Sequence, residues 1–532
     1  MKTSEEFRDS IYEKHGVKLA VRKRRRRQAM VCIPLAFLLV LGSVFLPQVL
    51  TGANLPFARS GRIPLMLQVG RPSDPTESEF ADDLIAKIDE LAQKRQELMD
   101  ELEALTAEQE DAARKAVEEM EKEADDLRAK VQGEREIDPV FSDAVNQFAR
   151  DSAVLLSENF EENACYSPLS MYYALALSSC GARGQTKYEF QDVLHAETEW
   201  EAGMGGWTAK QCGNYYRQHY HEDETSTFRL ENSLWLDGRF AFGDKFISYA
   251  ENDFYSSLFQ VDFSDPDLGD EMTKWVSDQT DGQLSPAFTF EENQMLYLMN
   301  TVLYEAEWNY RFSPKNNTQD EFHKADGSTV TAEFMNRDYS ADRYYEGNGF
   351  VSASLPLKSH DRMVFVLPDP GVSTEELLSD PALFEEMFLS RPDSENNMAL
   401  VRWSIPKFDF TCEYDMRGTL MGLGLERAFD PVLADFTGMG EKLEMYLAET
   451  MQNVRISVNE DGVTAAAYTE MVFDETAIYA EKAVDMVLDR PFLFAILSND
   501  VTAEDDNAET VVFVGVCGDP TASGTGSAAA AS

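Results

Sequence analysis

Few residues in this chain have the types and spacings that reactions need. Its six histidines are His15, His195, His219, His221, His323 and His360. His219 and His221, with Cys212 nearby, invite a metal reading, but no ligand spacing supports it. They read as a surface loop, and no metal is expected. H-E-x-x-H, G-x-S-x-G, Walker and dinucleotide motifs are all absent. Acidic pairs are too common here for any one to stand out as a catalytic dyad. Neither an enzyme nor a bound cofactor is expected. What does stand out is the run Glu460, Asp461, Gly462, Val463, Thr464, Ala465, Ala466, Ala467, Tyr468, Thr469. Counted by twos, one face carries Val463, Ala465, Ala467, Thr469, Met471 and Phe473. The other carries Thr464, Ala466, Tyr468, Glu470, Val472 and Asp474. Side chains alternate across a strand, so this run can lie in a sheet with its small, uncharged face inward. On pattern alone an ordinary strand or a short Ala-rich helix fits as well.

Composition bounds the setting. The chain has 532 residues, of which 43% are hydrophobic, and a formal charge of −48. That length suits one large domain with appendages. That charge opposes nucleic-acid binding, which needs clustered Lys and Arg, and favours solubility and basic partners. The six cysteines, Cys32, Cys165, Cys180, Cys212, Cys412 and Cys517, show no C-x-x-C pair. They read mostly as buried thiols without a disulfide framework.

The N-terminal part divides by composition. Residues 1–28 are polar and end in six consecutive basic residues, 22–27. Residues 29–50 carry no charge. At about 1.5 Å per residue they are long enough to cross a hydrocarbon core of about 30 Å. The adjacent cations place the N-terminus in the cytoplasm and the rest of the chain outside it, in a single-pass membrane protein. The alternative is a signal segment cut near Ala53, with secretion. Residues 51–78 read as a Pro-containing linker. Residues 79–132 read as a helical stalk, about 75 Å long, with Leu84, Ile88, Leu91, Leu98, Leu102 and Leu105 at 3-4 spacing. As a coiled coil this stalk would make a homodimer. As a solvated spacer it needs no partner. A globular domain is expected over 138–520 and a disordered tail of Ala, Ser, Gly and Thr over 521–532.

Inside the domain, Ser167-Pro168-Leu169-Ser170 opens an Ala- and Leu-rich helix, with Ser167 placed to cap it and Pro168 in its first turn. Gly181-Ala182-Arg183-Gly184 ends it. Further on come Asn232-Ser233-Leu234-Trp235, Leu298-Met299-Asn300-Thr301, Trp308, Ile405-Pro406-Lys407-Phe408 and Val512-Phe513-Val514-Gly515. These motifs, in this order, resemble the serpin family across about 138–520. The run from Glu460 to Thr469 resembles that family's reactive-loop hinge. Two positions depart from the hinge pattern: Val463 stands where Thr or Ser is usual, and Tyr468 where a small residue is usual.

The resemblance implies an α+β serpin fold: three β-sheets, surrounding helices and an exposed reactive-centre loop. It implies an inhibitor of serine proteases that is cut in its loop and then inserts the loop as a new strand, acting as a suicide substrate. Loop insertion in serpins is itself a standard example of strand addition and switching. The hinge would be Glu460, Gly462, Val463, Thr464, Ala465, Ala466, Ala467 and Thr469. The sheet-opening region would hold Ser167, Ser170, Asn300, Trp308 and Gln452, with Gln452 in place of the usual His. Counting from Gly462 puts the scissile bond at Thr476–Ala477, which suits an elastase-like protease. A cut after Tyr479 would suit a chymotrypsin-like one. The competing functions are a non-inhibitory binding protein on the same fold and a tethered surface adhesion protein.

Overall fold

The computed structural model describes residues 66–70, 136–157, 160, 162–196, 206–288, 290, 295–389, 398–440, 445–447, 449–463, 482–499, 509–522 and 525–528. The chain divides into two compact units, Met1–Ile63 and Pro64–Ser532, and every described residue belongs to the second. The expected cytoplasmic segment 1–28, the apolar run 29–50 and the stalk 79–132 lie outside the described residues. Among the described residues no helix is long and apolar enough to cross a membrane.

Alternating strands build two nine-stranded sheets among the described residues. The first contains β1 (Met66–Gly70), β3 (His221–Glu222), β4 (Ser226–Asp237), β5 (Ser257–Val261), β6 (Leu296–Glu307), β12 (Phe408–Asp415), β13 (Glu449–Val458), β14 (Gly462–Val463) and β18 (Thr525–Ala528). The second contains β2 (Asn163–Tyr166), β7 (Thr318–His323), β8 (Thr329–Glu346), β9 (Phe350–Pro356), β10 (Arg362–Pro368), β11 (Met398–Pro406), β15 (Ala483–Val487), β16 (Phe492–Asn499) and β17 (Glu509–Cys517).

Three expectations are corrected here. The three expected sheets are two by hydrogen bonding. Strand β8 pairs with β7 at its start, β11 along its middle and β9 at its end, so one ladder joins what the resemblance divides. Part of the expected linker 51–78 is a strand, because Met66–Gly70 pairs antiparallel with β5. Part of the expected disordered tail 521–532 is also a strand, because Thr525–Ala528 pairs parallel with β12. Both added strands cover the outer edges of the first sheet, whose unpaired N–H and C=O groups would take any extended segment.

Side-chain alternation sets two cores. On β6, Leu296, Leu298, Val302, Tyr304 and Ala306 face the main core shared by both sheets. Tyr297 and Met299 face the opposite way, into a smaller cluster with Trp235 and Phe259. A helix, Leu268–Gln279, covers that outer face with Leu268, Met272 and Val276, one stripe at four-residue spacing. Helix α1 (Pro139–Ser157) turns Phe141, Val145 and Phe148 into the main core. Helix α2 (Pro168–Gly181) is buried on nearly every side, in keeping with its apolar sequence all round. Ser167 caps it, as expected, accepting from Ser170 N at 3.3 Å, with Pro168 at the first position.

Candidate functional site

The site is a parting between two strands. Strands β6 and β13 pair parallel from Tyr297–Glu449 to Thr301–Asn453. Beyond Thr301 and Asn453 they part. The two-residue strand β14 sits between them at the far end, antiparallel to both. Its Val463 pairs with Ala306 on one side and Val458 on the other, and its Gly462 pairs with Glu307. Residues 302–305 and 454–457 therefore face each other across a gap that narrows to the closed ladder.

The chain reaches that seat by a tight turn. Asn459 Oδ1 accepts from Asp461 N at 2.9 Å and from Gly462 N at 3.3 Å, and Asn459 N donates to Gly462 O at 3.0 Å. Asn favours such side-chain turns. Gly462 is required because its backbone lies against β6: a Cβ there would sit 2.1 Å from Ala306 O. Val463 is fully buried in the main core. The inward direction expected for Val463 matches its burial. A charge placed at 463 would therefore disturb the uncut fold as well as an inserted one.

Trp308 anchors the turn. It is buried, its Nε1 donates to Asn459 O at 2.9 Å, and its backbone N donates to Asp461 O at 2.9 Å. Phe312 N donates to Glu460 O at 3.0 Å. Ion pairs finish the clamp. Lys407 Nζ lies 3.1 Å from Glu460 Oε1, and Asn317 Nδ2 donates to the same oxygen at 2.5 Å. Burial alone would raise the Glu460 carboxyl. The hydrogen bonds from its own backbone, from Asn317 and from Lys407 outweigh burial and hold it below the usual range. Arg311 Nη1 lies 3.0 Å from Asp461 Oδ1, and its other nitrogen pairs with the buried Glu307, which also pairs with Lys358.

Where the ladder closes, polar side chains are buried beneath it. Asn232, Asn300 and Gln452 stand in register on β4, β6 and β13, all facing the start of α2. Gln452 Oε1 accepts from Ser167 N at 3.0 Å, and its Nε2 donates to Ser167 O at 2.9 Å. Ser167 Oγ donates to Val512 O at 2.8 Å. Asn300 Nδ2 donates to Ser170 O at 3.0 Å and to Asn232 Oδ1 at 2.6 Å, and Ser170 Oγ donates to Asn300 Oδ1. Among the described residues no side-chain hydrogen bond joins Asn300 to Gln452 directly. The network thus has two halves, one on each side of the parting, tied through the helix start.

The structure brings Ser167, Ser170, Asn300 and Gln452 into one network, and Trp308, Glu460, Gly462 and Val463 into one clamp. Thr464, Ala465, Ala466, Ala467, Thr469, Thr476, Ala477 and Tyr479 lie outside the described residues. Asn232, Glu307, Arg311, Asn317, Lys407 and Asn459 join the site although sequence reasoning gave them no role there. Only Asn459, in the turn-like run Asn-Glu-Asp-Gly, carried a local signal. Cys212 lies in the core, with Tyr173 donating to its carbonyl at 2.7 Å. Among the described residues no three His, Cys, Asp or Glu are arranged to hold a metal.

Known proteins of this kind align along most of the chain. The family model Serpin (serine protease inhibitor) matches residues 143–520. Serpin A3-3 of Bos taurus is 26% identical over 373 residues, covering 69% of this chain and 85% of that protein. Plasminogen activator inhibitor 1 of Neovison vison is 25% identical over 369 residues, covering 68% of this chain and 88% of that protein. Among solved structures, the thermophilic serpin tengpin in its native state superposes with a TM-score of 0.60 at 26% identity, covering 70% of this chain and 94% of that one.

Proposed function

The chain belongs to the serpin family, and from that we propose that it inhibits serine proteases by inserting its own cleaved loop into the parting between β6 and β13. One observation carries the proposal: Gly462 and Val463 already occupy the wide end of that parting, in antiparallel register with both neighbours. Continuing the register through the gap would set Ala465 between Tyr304 and Ile456, and Ala467 between Val302 and Val454. Those four neighbours face the main core, and the incoming side chains are small enough to follow them in. Thr469 would then arrive between Asn300 and Gln452. Insertion beyond Ala467, Thr469 included, requires breaking the five residue pairs between Tyr297–Glu449 and Thr301–Asn453. No direct side-chain bond between Asn300 and Gln452 has to break with them.

In this mechanism a target protease attacks the loop and forms an acyl-enzyme. The cut frees the loop to enter the sheet before water completes hydrolysis. The uncut fold is a kinetic trap whose inserted state is more stable. Thr476–Ala477 is the proposed scissile bond, with an elastase-like target. No Lys or Arg lies between Val463 and Glu481 to meet a trypsin-like acidic pocket. The apolar run 29–50 is proposed as a single-pass anchor holding the domain outside the cytoplasm, and the stalk 79–132 as its spacer and coiled-coil dimer contact. Protease shaving of intact cells should then release the domain; a trimmed protein in the medium would favour secretion.

The test is incubation with pancreatic elastase and with chymotrypsin. A denaturant-stable complex is expected, with a released fragment starting at Ala477 for the first enzyme or Ala480 for the second. Because Val463 is already covered, the discriminating variant is Ala465→Arg. It puts a charge on the inward face, at a large cost in the inserted state, and should turn inhibitor into substrate. Complex formation at full efficiency by Ala465→Arg sinks the insertion mechanism.

A further inference from the structure

Next to Lys358, the end of helix Trp207–His219, strand β3 and the turn between β9 and β10 enclose a cavity of about 280 Å³. It borders the parting between β6 and β13, since Tyr304 of β6 lies on the wall of both. Its wall is rich in hydrogen-bond acceptors. His221 Nδ1 lies 2.6 Å from the His219 carbonyl. A carbonyl only accepts, so Nδ1 carries the proton, and the acceptor nitrogen of that tautomer is Nε2, on the other side of the ring. That Nε2 is buried and has no hydrogen-bond partner among the described residues. Asn499 Oδ1, at the end of β16, is a second buried acceptor without one among them. Both residues line the cavity.

The charges there have the same bias. Asp361 is buried and accepts from Tyr304 Oη at 2.7 Å. Burial and the nearby carboxylate push the Tyr304 phenol well up, so it stays a donor. Asp223 accepts from Thr225 N at 2.7 Å and Ser226 N at 3.1 Å. Burial would raise its carboxyl, but those bonds outweigh burial and keep it low. Lys358, the one fixed cation among the described residues of the wall, is paired with Glu307. The rings of Phe228 and Tyr304 meet edge to face at 5.9 Å. An anion placed here would face lone pairs and carboxylates. An apolar molecule would leave buried acceptors unmade, which is costly. A donor-rich cation answers both needs and gains the ring faces.

We infer that this cavity binds a small organic cation carrying a primary ammonium or guanidinium group, held by His221 Nε2 and Asn499 Oδ1 with Asp361 as counter-charge. The site does not depend on the inhibitory reading, since binding alone tests it. The experiment is calorimetric titration of the full chain with agmatine, butane-1,4-diol and succinate, at about pH 8 and at an ionic strength of about 0.15 M that screens diffuse surface attraction. Saturable binding of one agmatine is expected, with no heat from the diol or the dicarboxylate. His221→Phe and Asn499→Leu, which keep bulk and remove the acceptor, should each weaken binding about tenfold. Non-saturable uptake of agmatine, equal binding of the diol or succinate, or undiminished affinity in both variants overturns the inference. If a variant fails to fold, the three-ligand series on the unaltered protein still decides.

Discussion

At the scale of single residues, the site is a set of charges and amides that gain their role from fold contact. Glu460 and Lys407 are the clearest pair. Glu460 is largely covered while Lys407 is about one-third exposed, with side-chain exposures of 14% and 33%. Their contribution should therefore fall between exposed pairs and buried ones, about 1–2 kcal/mol. Glu460 is held below the usual carboxylate range. A depressed carboxyl stabilises the fold above its unfolded pKa, about 4.3, and that contribution is lost as pH falls through the folded value. Lys407→Ala should thus lower the melting temperature by a few degrees at neutral pH. The gap from the unaltered protein should close as the pH drops below about 4. A gap that stays constant through the acid range would mean that Lys407 acts by packing alone. Gln452 behaves differently. Its amide bonds Ser167 in both directions and does not titrate, so it gives the closing point of the sheet no pH dependence of its own.

At the scale of elements, the proposed insertion turns on the two-residue strand β14. Its seat depends on a glycine: any side chain at 462 meets the backbone of Ala306, which has no flexible end to give way. Gly462→Ala should unseat the strand and uncover Val463, whose burial is worth about 1.5–3 kcal/mol. A lower melting temperature and faster proteolysis around 459–463 are expected, read by heating and by limited digestion. An unchanged digestion pattern would show that the seat tolerates the methyl. How legible this was differs by element. The capped start of α2 was readable, because Ser167 and Pro168 act through neighbours in sequence. The seating of β14 was not, because it rests on Glu307 and Arg311, which lie about 150 positions from Asp461. The strands at 66–70 and 525–528 were hidden for another reason. Thr-Gly-Ser-Ala has little strand preference of its own, and the bare edge of β12 supplies the ladder. The sheet count failed at β8, where only pairing on both edges shows that one strand joins what motif order divides.

At the scale of the whole molecule, charge sets the terms. There are 95 acidic and 47 basic residues, so fewer than half the carboxylates can have a cation of their own. The ion pairs of the clamp are local exceptions in a field of like charge. Two effects of salt then oppose each other. Screening weakens the exposed pairs, such as Lys274–Asp278 and Arg402–Asp485, which contribute little in any case. It also relieves repulsion among the surplus carboxylates, which destabilises the compact state. With this imbalance the second effect should win. The Debye length shrinks from about 30 Å at 0.01 M to about 3 Å at 1 M, and over that range the melting temperature should rise by several degrees. Association with a protease bearing basic residues around its cleft should move the other way. Its rate should fall as salt removes long-range attraction, while the fraction of encounters that end in a stable complex stays constant. Measuring melting and association rate across one sodium chloride series checks both signs. A melting temperature that falls with salt would show that paired charges, not the surplus, govern the stability of this chain.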